Sequence, residues 1–378
     1  MLRNFRRSLA ALVVFSGALT GTAEAAPAGP VDLGTLPGDD DSMVLAVNEA
    51  GVMVGLSSAG SNPRRDLPVR WDADGLITAL PTPGGSAGQV RDINASGVSA
   101  GYVLTATDAV PARWDAQGQA TTLQVPAGFH NATAFAISDT GVVVGNWLTP
   151  GNEYHAFRWD PDGQATDLGT LPGETWSMAE DISADGRIIV GGGQRAGANH
   201  AVRWVDGGPI TELVPQSPSS GAHVVNAGGV AAGTLWETTS GPVVPATWDA
   251  GGTIHRLDWP SPHSVWLSWI GSTGYVVGYG YLTPPARSAV RWAPDGTVSA
   301  LPDDGFGADV QGVDAEGTAV GTFRSRATVW YRNGPRTQLG LLPGGTRSEA
   351  YRITDSGRVA GRATTAAGKN HAVLWILR

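Results

Sequence analysis

Apolar and polar positions alternate along this chain in short segments, and the segments recur in sets of four. Such alternation is typical of β-strands that bury one face. One tryptophan ends the third segment of every set, at intervals of 38 to 45 residues. These tryptophans are Trp71, Trp114, Trp159, Trp204, Trp248, Trp292, Trp330 and Trp375. The chain therefore contains eight copies of one unit, and we interpret the tryptophans as wedges that each copy buries against its neighbours.

The four segments of a copy, named a to d, are joined by two kinds of connection. A glycine follows the last residue of every segment a by four positions, and residues that tolerate positive φ fill most of the gap, as at residues 94–97. A second glycine lies four residues after each internal tryptophan, and a segment d leucine lies nine residues after it. The a–b and c–d turns thus have constant length, whereas the b–c and d–a connections vary. In an antiparallel blade these two classes of loop emerge at opposite ends.

The two ends of the chain complement each other. The last copy stops three residues after Trp375 and lacks segment d, while an orphan segment d at residues 31–34 precedes the first segment a. We expect residues 31–34 to pair beside the segment around His371 to Trp375, which closes a ring and removes open sheet edges. The predicted fold is all-β, an eight-bladed β-propeller of four-stranded antiparallel blades. A seven-bladed ring is the alternative, because the seventh copy is short.

Residues 1–25 are predicted to be a signal peptide. Three arginines precede the apolar stretch at residues 9–19, and Ala23 and Ala25 supply a small-x-small cleavage site. The Arg6-Arg7 pair leaves open whether export uses the Sec or the twin-arginine route. Residues 26–378 would then form a single propeller domain that is secreted and extracellular.

Composition limits both how the fold is stabilised and what it can bind. Cysteine is absent, so no disulfide can stabilise the fold. The net charge is −9, and the only lysine is Lys369, so the chain lacks the basic surface that nucleic acids and anionic membranes require. No segment after the signal peptide has the roughly 18 apolar residues of a membrane helix. We expect neither nucleic-acid binding nor membrane insertion.

Two motifs link the chain to a known group of proteins. His-Ala-Phe occupies residues 155–157, and His-Ala-Val occupies residues 200–202 and 371–373. The heptapeptide Asp-Leu-Gly-Thr-Leu-Pro-Gly occurs at residues 32–38 and again at residues 167–173. With these motifs the chain resembles the HAF-repeat family of probable extracellular proteins across all its copies. The resemblance implies secretion and a repeat fold, and it brings no catalytic motif.

Aromatic residues that do not belong to the repeat are the candidate binding residues. They fall in the variable b–c and d–a connections, where flat rings can stack on a sugar or pack against a protein. The alternative interpretation is that several of them fold inward and fill the core. The predicted ligand-binding set is Trp147, Trp176, Trp236, Trp259, Trp266, Tyr279 and Tyr281. Acidic residues share this end at Asp39, Asp40, Asp41, Asp303 and Asp304.

No catalytic residue, metal ligand or cofactor motif is predicted. The histidines of the three His-Ala tripeptides lie in separate copies, and the Asp-rich turns at residues 72–75 and 160–163 lack the spacing of a calcium-binding EF-hand. No recognised hydrolase or nucleotide-binding string occurs. The predicted function is therefore a secreted non-catalytic protein that binds an extracellular glycan or protein through its variable-loop end. The alternative is a secreted polysaccharide-degrading hydrolase or lyase whose site lies at the propeller mouth and is assembled from separate blades.

Overall fold

The eight repeats form eight sheets. The computed structural model describes residues 29–60, 65–283 and 286–377, and within these ranges it contains thirty-two strands and no α-helix. The strands are organised in eight four-stranded antiparallel sheets, so the predicted eight-bladed β-propeller is confirmed and the seven-bladed alternative is wrong. In the described ranges we find no helix with the length and apolar character needed to span a membrane. The predicted signal peptide, residues 1–25, lies outside the described residues.

The first four blades use consecutive strands in the order a to d. These strands are β2 (Asp41–Val47), β3 (Met53–Ala59), β4 (Arg65–Trp71), β5 (Ile77–Ala79), β6 (Ala87–Ile93), β7 (Ser99–Leu104), β8 (Ala109–Trp114), β9 (Ala120–Thr122), β10 (His130–Ile137), β11 (Val143–Leu148), β12 (Tyr154–Trp159), β13 (Ala165–Asp167), β14 (Ser177–Ile182), β15 (Ile188–Arg195), β16 (Ala198–Val205) and β17 (Thr211–Glu212).

Blades 5 to 7 continue this order, and blade 8 combines three late strands with the first described strand. The strands are β18 (Ser219–Val225), β19 (Ala231–Trp236), β20 (Val243–Trp248), β21 (Ile254–Arg256), β22 (Val265–Ile270), β23 (Val276–Thr283), β24 (Ala286–Trp292), β25 (Val298–Ala300), β26 (Ala308–Val313), β27 (Ala319–Phe323), β28 (Arg326–Trp330), β29 (Arg336–Gln338), β30 (Ser348–Ile353), β31 (Arg358–Thr364), β32 (Asn370–Ile376) and β1 (Val31–Asp32).

The ring closes where the first and last described strands meet. Strand β1 pairs antiparallel with β32, with Val31 opposite Leu374 and Asp32 opposite Val373. The backbone N–H of Leu33 then donates to the Ala372 carbonyl at 3.0 Å. Blade 8 therefore has the strand order β1-β32-β31-β30, and its outermost strand comes from the start of the described chain. The predicted closure is confirmed.

The repeated tryptophans tie each blade to the blade before it. All eight side chains are at most 1% exposed. In seven of them the indole Nε1–H donates to a backbone carbonyl that follows strand d of the preceding blade, as from Trp204 to Leu168 at 2.8 Å. At the ring closure the acceptor for Trp71 is Leu33, at 2.9 Å. The wedge is thus both apolar and hydrogen-bonded, which fixes the angle between neighbouring blades.

The arginines that precede some of these tryptophans reach toward the following blade. Arg70 donates to the Gly97 carbonyl at 2.8 Å, and Arg291 donates to the Gly317 carbonyl at 2.6 Å. Both acceptors lie in the a–b turn of the next blade. A half-buried guanidinium needs such acceptors, because its desolvated N–H groups are costly without partners.

Every strand a carries a β-bulge close to its end, where one residue has no partner on strand b. The eight bulge residues are Leu45, Arg91, Phe135, Glu180, His223, Ser268, Gln311 and Tyr351. Strands a of neighbouring blades contact one another around the ring, so they are the innermost strands. A bulge bends its strand and redirects the side chains beside it. This repeated irregularity shapes the wall of the central channel.

Two leucines at equivalent positions test the closure. Leu33 and Leu168 are each at most 5% exposed and each follows a strand d, but only Leu33 belongs to the chain end that closes the ring. We expect Leu33→Ala and Leu168→Ala to lower the free energy of unfolding by similar amounts, about 2 to 5 kcal/mol, because both leave a core cavity. Denaturant titration measures this loss.

Only Leu33→Ala should also free the first strand. Hydrogen exchange should show faster exchange of the backbone amides in β32, while the a strands of other blades stay protected. Equal exchange of β32 in the two variants would show that residues 31–34 do not hold the ring closed.

Candidate functional site

The central channel contains a cavity of about 620 Å³ near the a–b turns. This volume lies within the range of small-molecule sites. Its walls come from strand a of seven blades and combine apolar side chains with six charged or titratable ones. The six are Arg91, Asp92, Glu180, Asp181, His223 and Arg352.

Large and small side chains alternate around this channel. The position just before the last residue of strand a is Asp92, Asp181, Trp269 and Arg352 in the even-numbered blades. The same position is Ala46, Ala136, Val224 and Gly312 in the odd-numbered blades. Eight large side chains would crowd around one axis, so we attribute the alternation to packing. The four large residues are also the ones that bring charge and an indole ring into the channel.

Asp92 and Asp181 connect blades in the same way. Asp92 accepts hydrogen bonds from Ile93 N at 2.8 Å and from Ile137 N, in the next blade, at 2.9 Å. Asp181 accepts from Ile182 N and from Val225 N, in the next blade, each at 2.8 Å. Both oxygens of each carboxyl group are therefore occupied by backbone donors, and one bond of each pair crosses between blades.

Burial changes the acidity of these two groups. It raises the pKa of Asp92 to about 6 and the pKa of Asp181 to about 7, because the channel wall removes water from the charged form. The backbone hydrogen bonds oppose both shifts, and the negative charge of Asp92 adds to the shift of Asp181. Near neutral pH the channel therefore changes its charge.

Glu180 and His223 form a pair between blades 4 and 5. His223 Nδ1 lies 2.9 Å from Glu180 Oε2, and this hydrogen bond raises the pKa of His223. The imidazole lies over Gly221, where an added Cβ would come within 2.8 Å of the ring. The side chains are 43% and 31% exposed for His223 and Glu180, so both are accessible from the channel.

Arg352 and Trp269 meet across blade 7. Arg352 Cζ lies 4.4 Å from the centroid of the Trp269 ring, within the range of a cation–π interaction. Gly312 holds the equivalent position in blade 7 and leaves the space between Arg352 and Trp269 open. A Cβ added at Gly312 would lie 3.3 Å from the Val320 side chain. Burial lowers the pKa of Arg352, and the charges of Asp92 and Asp181 oppose that shift. The guanidinium stays protonated at neutral pH.

The variable-loop end carries a second cluster, on blade 6. Trp266 and Tyr279 stack with ring centroids 5.5 Å apart and an interplanar angle of 25°. Tyr281 meets Trp266 edge-on at 6.2 Å, and Arg287 Cζ lies 4.4 Å from the Tyr279 centroid. We call Trp266, Tyr279 and Tyr281 the Trp266 cluster. Three of the seven predicted binding residues are thus brought together, and Trp266 is 43% exposed.

The other four predicted binding residues lie apart from this cluster. Trp147 is completely buried, meets Trp159 of its own blade edge-on at 5.6 Å, and belongs to the hydrophobic core between blades 2 and 3. Trp259 donates its indole N–H to the His263 carbonyl at 2.9 Å and lies 6.1 Å from Trp292. Trp176 and Trp236 are half-buried, and the ring of Trp176 covers Gly192. Trp147 therefore shows the inward packing that was the alternative interpretation, whereas the other three stay partly exposed.

Several of these aromatic residues lie within strands rather than loops. Trp266 belongs to β22, Tyr279 and Tyr281 belong to β23, and Trp147 and Trp236 lie at the ends of β11 and β19. The prediction that these five residues lie in the connecting loops is therefore wrong. The strands extend further than the repeat suggested, because the apolar pattern continues past the aligned core of each segment.

The histidines of the repeated tripeptide pair with a carboxylate on strand d. His155 Nδ1 lies 3.0 Å from Asp167, and His371 Nδ1 lies 2.9 Å from Asp32. His200 Nδ1 lies 2.7 Å from Glu212, in poorer hydrogen-bond geometry. The two repeated motifs are therefore the two sides of one cross-strand contact, and in blade 8 that contact joins the chain ends. Across the described ranges, no three His, Cys, Asp or Glu side chains are placed to hold a metal ion.

Sequence reasoning missed the channel residues, although a signal was present. Aligned copies place a small apolar residue before the last residue of segment a in four blades, and a charged or large residue in the other four. At this position of the inner strand, the copies that lack a small residue are those with Asp92, Asp181, Trp269 and Arg352. Reading this signal requires knowing that segment a lines the channel.

Comparisons with known proteins agree on the fold. No family model matches the chain, and no curated protein matches it. Dipeptidyl peptidase 4 of Porphyromonas gingivalis is similar with a TM-score of 0.58 and 11% identity, over 91% of this chain and 58% of that one. The β-propeller domain of the Trilobed protease from Pyrococcus furiosus, which has an open velcro topology, is similar with a TM-score of 0.53 and 11% identity.

That second match covers 79% of this chain and 96% of the Pyrococcus domain. Puromycin hydrolase is similar with a TM-score of 0.52 and 14% identity, over 92% of this chain and 60% of that one. At these identities the likeness shows a β-propeller fold and carries no activity over.

The raised pKa of Asp181 predicts how stability depends on pH. The folded state binds this proton more tightly than the unfolded state does, so the stabilising contribution of protonation is present at low pH and is lost as pH rises through about 7. We expect Asp181→Asn to reduce the dependence of the free energy of unfolding on pH between 5 and 8. Denaturant titrations of both proteins at several pH values measure the difference.

Asp74→Asn, in an exposed c–d turn, is the matched control and should leave the pH profile of the wild type unchanged. If the difference in the free energy of unfolding between wild type and Asp181→Asn stays constant from pH 5 to pH 8, burial does not raise the pKa of Asp181.

Proposed function

We propose that this is an exported binding protein that holds an extracellular glycan on its variable-loop end and catalyses no reaction. Export is supported by the signal-like residues 1–25 and by the resemblance to the HAF-repeat family. The acidic net charge disfavours nucleic acid and anionic membranes as partners. A protein partner at the same surface is the alternative within this function.

The stacked pair of an exposed Trp266 and a half-buried Tyr279 carries the proposal. Tyr279 supports one side of the Trp266 ring, so the indole is held in place before a ligand arrives. A preorganised aromatic surface loses little conformational entropy on binding. The apolar face of a sugar ring stacks on such a surface, and polar groups around it can take up the hydroxyls.

Polar groups of the right kind border the cluster. Arg287 forms an ion pair with Asp309, a residue on strand a of blade 7, and its guanidinium lies against Tyr279. The cluster therefore has an apolar centre with a charged donor and a charged acceptor at one side. This combination suits a neutral, hydroxyl-rich ligand better than a purely apolar one.

A polysaccharide-degrading hydrolase or lyase is the second candidate. The observation that favours it is the set of carboxyl groups in the channel, two of them with raised pKa values. A glycosidase normally needs two carboxyl groups free to act on the substrate. Each oxygen of Asp92 and Asp181 already accepts a backbone N–H, whereas Glu180 keeps one oxygen without a hydrogen bond to the described residues, and this favours binding over hydrolysis. If the protein released reducing ends or unsaturated products from a panel of polysaccharides, it would be a hydrolase or lyase and not a non-catalytic binding protein.

Substitution of the stacked pair tests the binding function. Trp266→Ala and Tyr279→Ala should each weaken binding to any glycan that the wild type retains on an array by at least tenfold, equivalent to about 1.4 kcal/mol. Isothermal titration calorimetry on the identified glycan measures the change. Trp259→Ala is unsuitable, because its half-buried ring packs near Trp292 and the loss would mix folding with binding.

Phe306→Ala is the matched control, since Phe306 is 68% exposed at the same end but lies outside the cluster. It should bind like the wild type. Full glycan binding by both Trp266→Ala and Tyr279→Ala would rule out this surface. Loss of a protein partner in pull-downs, with no glycan retained by the wild type, would assign the surface to protein recognition.

A further inference from the structure

The central cavity has opposite charges on opposite walls. Blade 4 supplies Glu180 and Asp181, and blade 8 supplies Arg352. In a ring of eight blades these two lie diametrically opposite. The cavity is therefore polarised across its width, at a place in the fold that is distinct from the Trp266 cluster.

The polar groups on both walls have capacity left for a ligand. The one hydrogen bond that Arg352 makes to the described residues runs from Nη1 to the Tyr351 carbonyl at 3.0 Å. On the other wall Glu180 uses Oε2 for His223, and its Oε1 makes no hydrogen bond within the described ranges. A guanidinium offers five N–H donors in a planar arrangement that matches a carboxylate.

The balance of charge selects the ligand class. Three carboxyl groups would repel a simple anion, and Arg91, Arg352 and the protonated form of His223 would repel a simple cation. A molecule with a carboxylate at one end and an ammonium group at the other meets a favourable partner on each wall. Phe135, Met178 and Trp269 line the space between and suit apolar side chains.

We propose that the central channel binds a short peptide with free termini, with its carboxylate on Arg352 and its ammonium group on Glu180. A cavity of about 620 Å³ exceeds the size of a single small amino acid and accommodates a peptide of about two or three residues. This site is independent of the glycan surface proposed above, and neither depends on the other.

Terminal capping of the peptide tests the charge assignment. A tripeptide library with free termini, its N-acetylated form and its C-amidated form are each equilibrated with the full-length protein, and retained peptides are identified by mass spectrometry. The free library should be retained, and calorimetry on recovered sequences should show at least tenfold weaker binding for either capped form. No retention of the free library, or equal affinity of free and capped peptides, would overturn the proposal.

Two channel variants separate a direct contact from a structural effect. Arg352→Gln should abolish the discrimination between free and amidated carboxyl ends but keep the discrimination between free and acetylated amino ends. Glu180→Gln should show the reverse. An equal loss for all three forms in either variant would contradict the assigned contact. Trp266→Ala should bind the peptide normally, which distinguishes failure of this site from failure of the glycan surface.

Discussion

The burial of one tryptophan per blade against the preceding blade is the contact on which the rest of this structure depends. A single blade leaves its indole uncovered, and the acceptor of the indole N–H lies in another repeat, as Leu168 does for Trp204. Stability is therefore shared between neighbours rather than contained in each unit. Trp71 of blade 1 is covered only if another blade packs in front of blade 1. The pairing of β1 with β32 supplies this packing, because Leu33 provides both the carbonyl for Trp71 and a buried side chain beneath it.

Closure of the ring is also what creates a site. The six charged or titratable channel residues are spread from position 91 to position 352, and no local motif contains more than two of them. The bulge in every strand a disturbs the regular alternation at the same depth, so these side chains converge at one level of the channel. The chemistry of the channel depends on the residues that differ between the repeats, whereas the fold depends on the residues that the repeats share.

This division explains what the sequence could predict. The eight copies, the closed ring, the tryptophan wedges and the two classes of loop follow from features that recur, and recurrence is visible in one sequence. The candidate site depends on residues that differ between copies, and one sequence does not show which differences matter. Trp147 and Trp266 illustrate this limit: both are unrepeated tryptophans near the variable-loop end, yet one is wholly buried and the other is 43% exposed. Their burial depends on side-chain contacts that periodicity does not contain, such as those of Trp147 with Trp159 and of Trp266 with Tyr279.

Packing explains why large side chains alternate with small ones in the channel, but it does not require that the large ones carry charge. Ala46, Ala136, Val224 and Gly312 occupy the same inner position in four blades, so a small apolar residue suffices there. Placing carboxyl groups at two of the remaining positions carries a desolvation cost that an apolar residue avoids, and the raised pKa values of Asp92 and Asp181 reflect that cost. Their backbone hydrogen bonds offset part of it. Arg352 makes no hydrogen bond to another blade within the described residues; its hydrogen bond goes to the adjacent Tyr351, and its contact with blade 6 is the cation–π interaction with Trp269. Arg352 therefore brings a positive charge to the channel at a position where four other blades have a small residue, and this is why the peptide proposal assigns the ligand carboxylate to it.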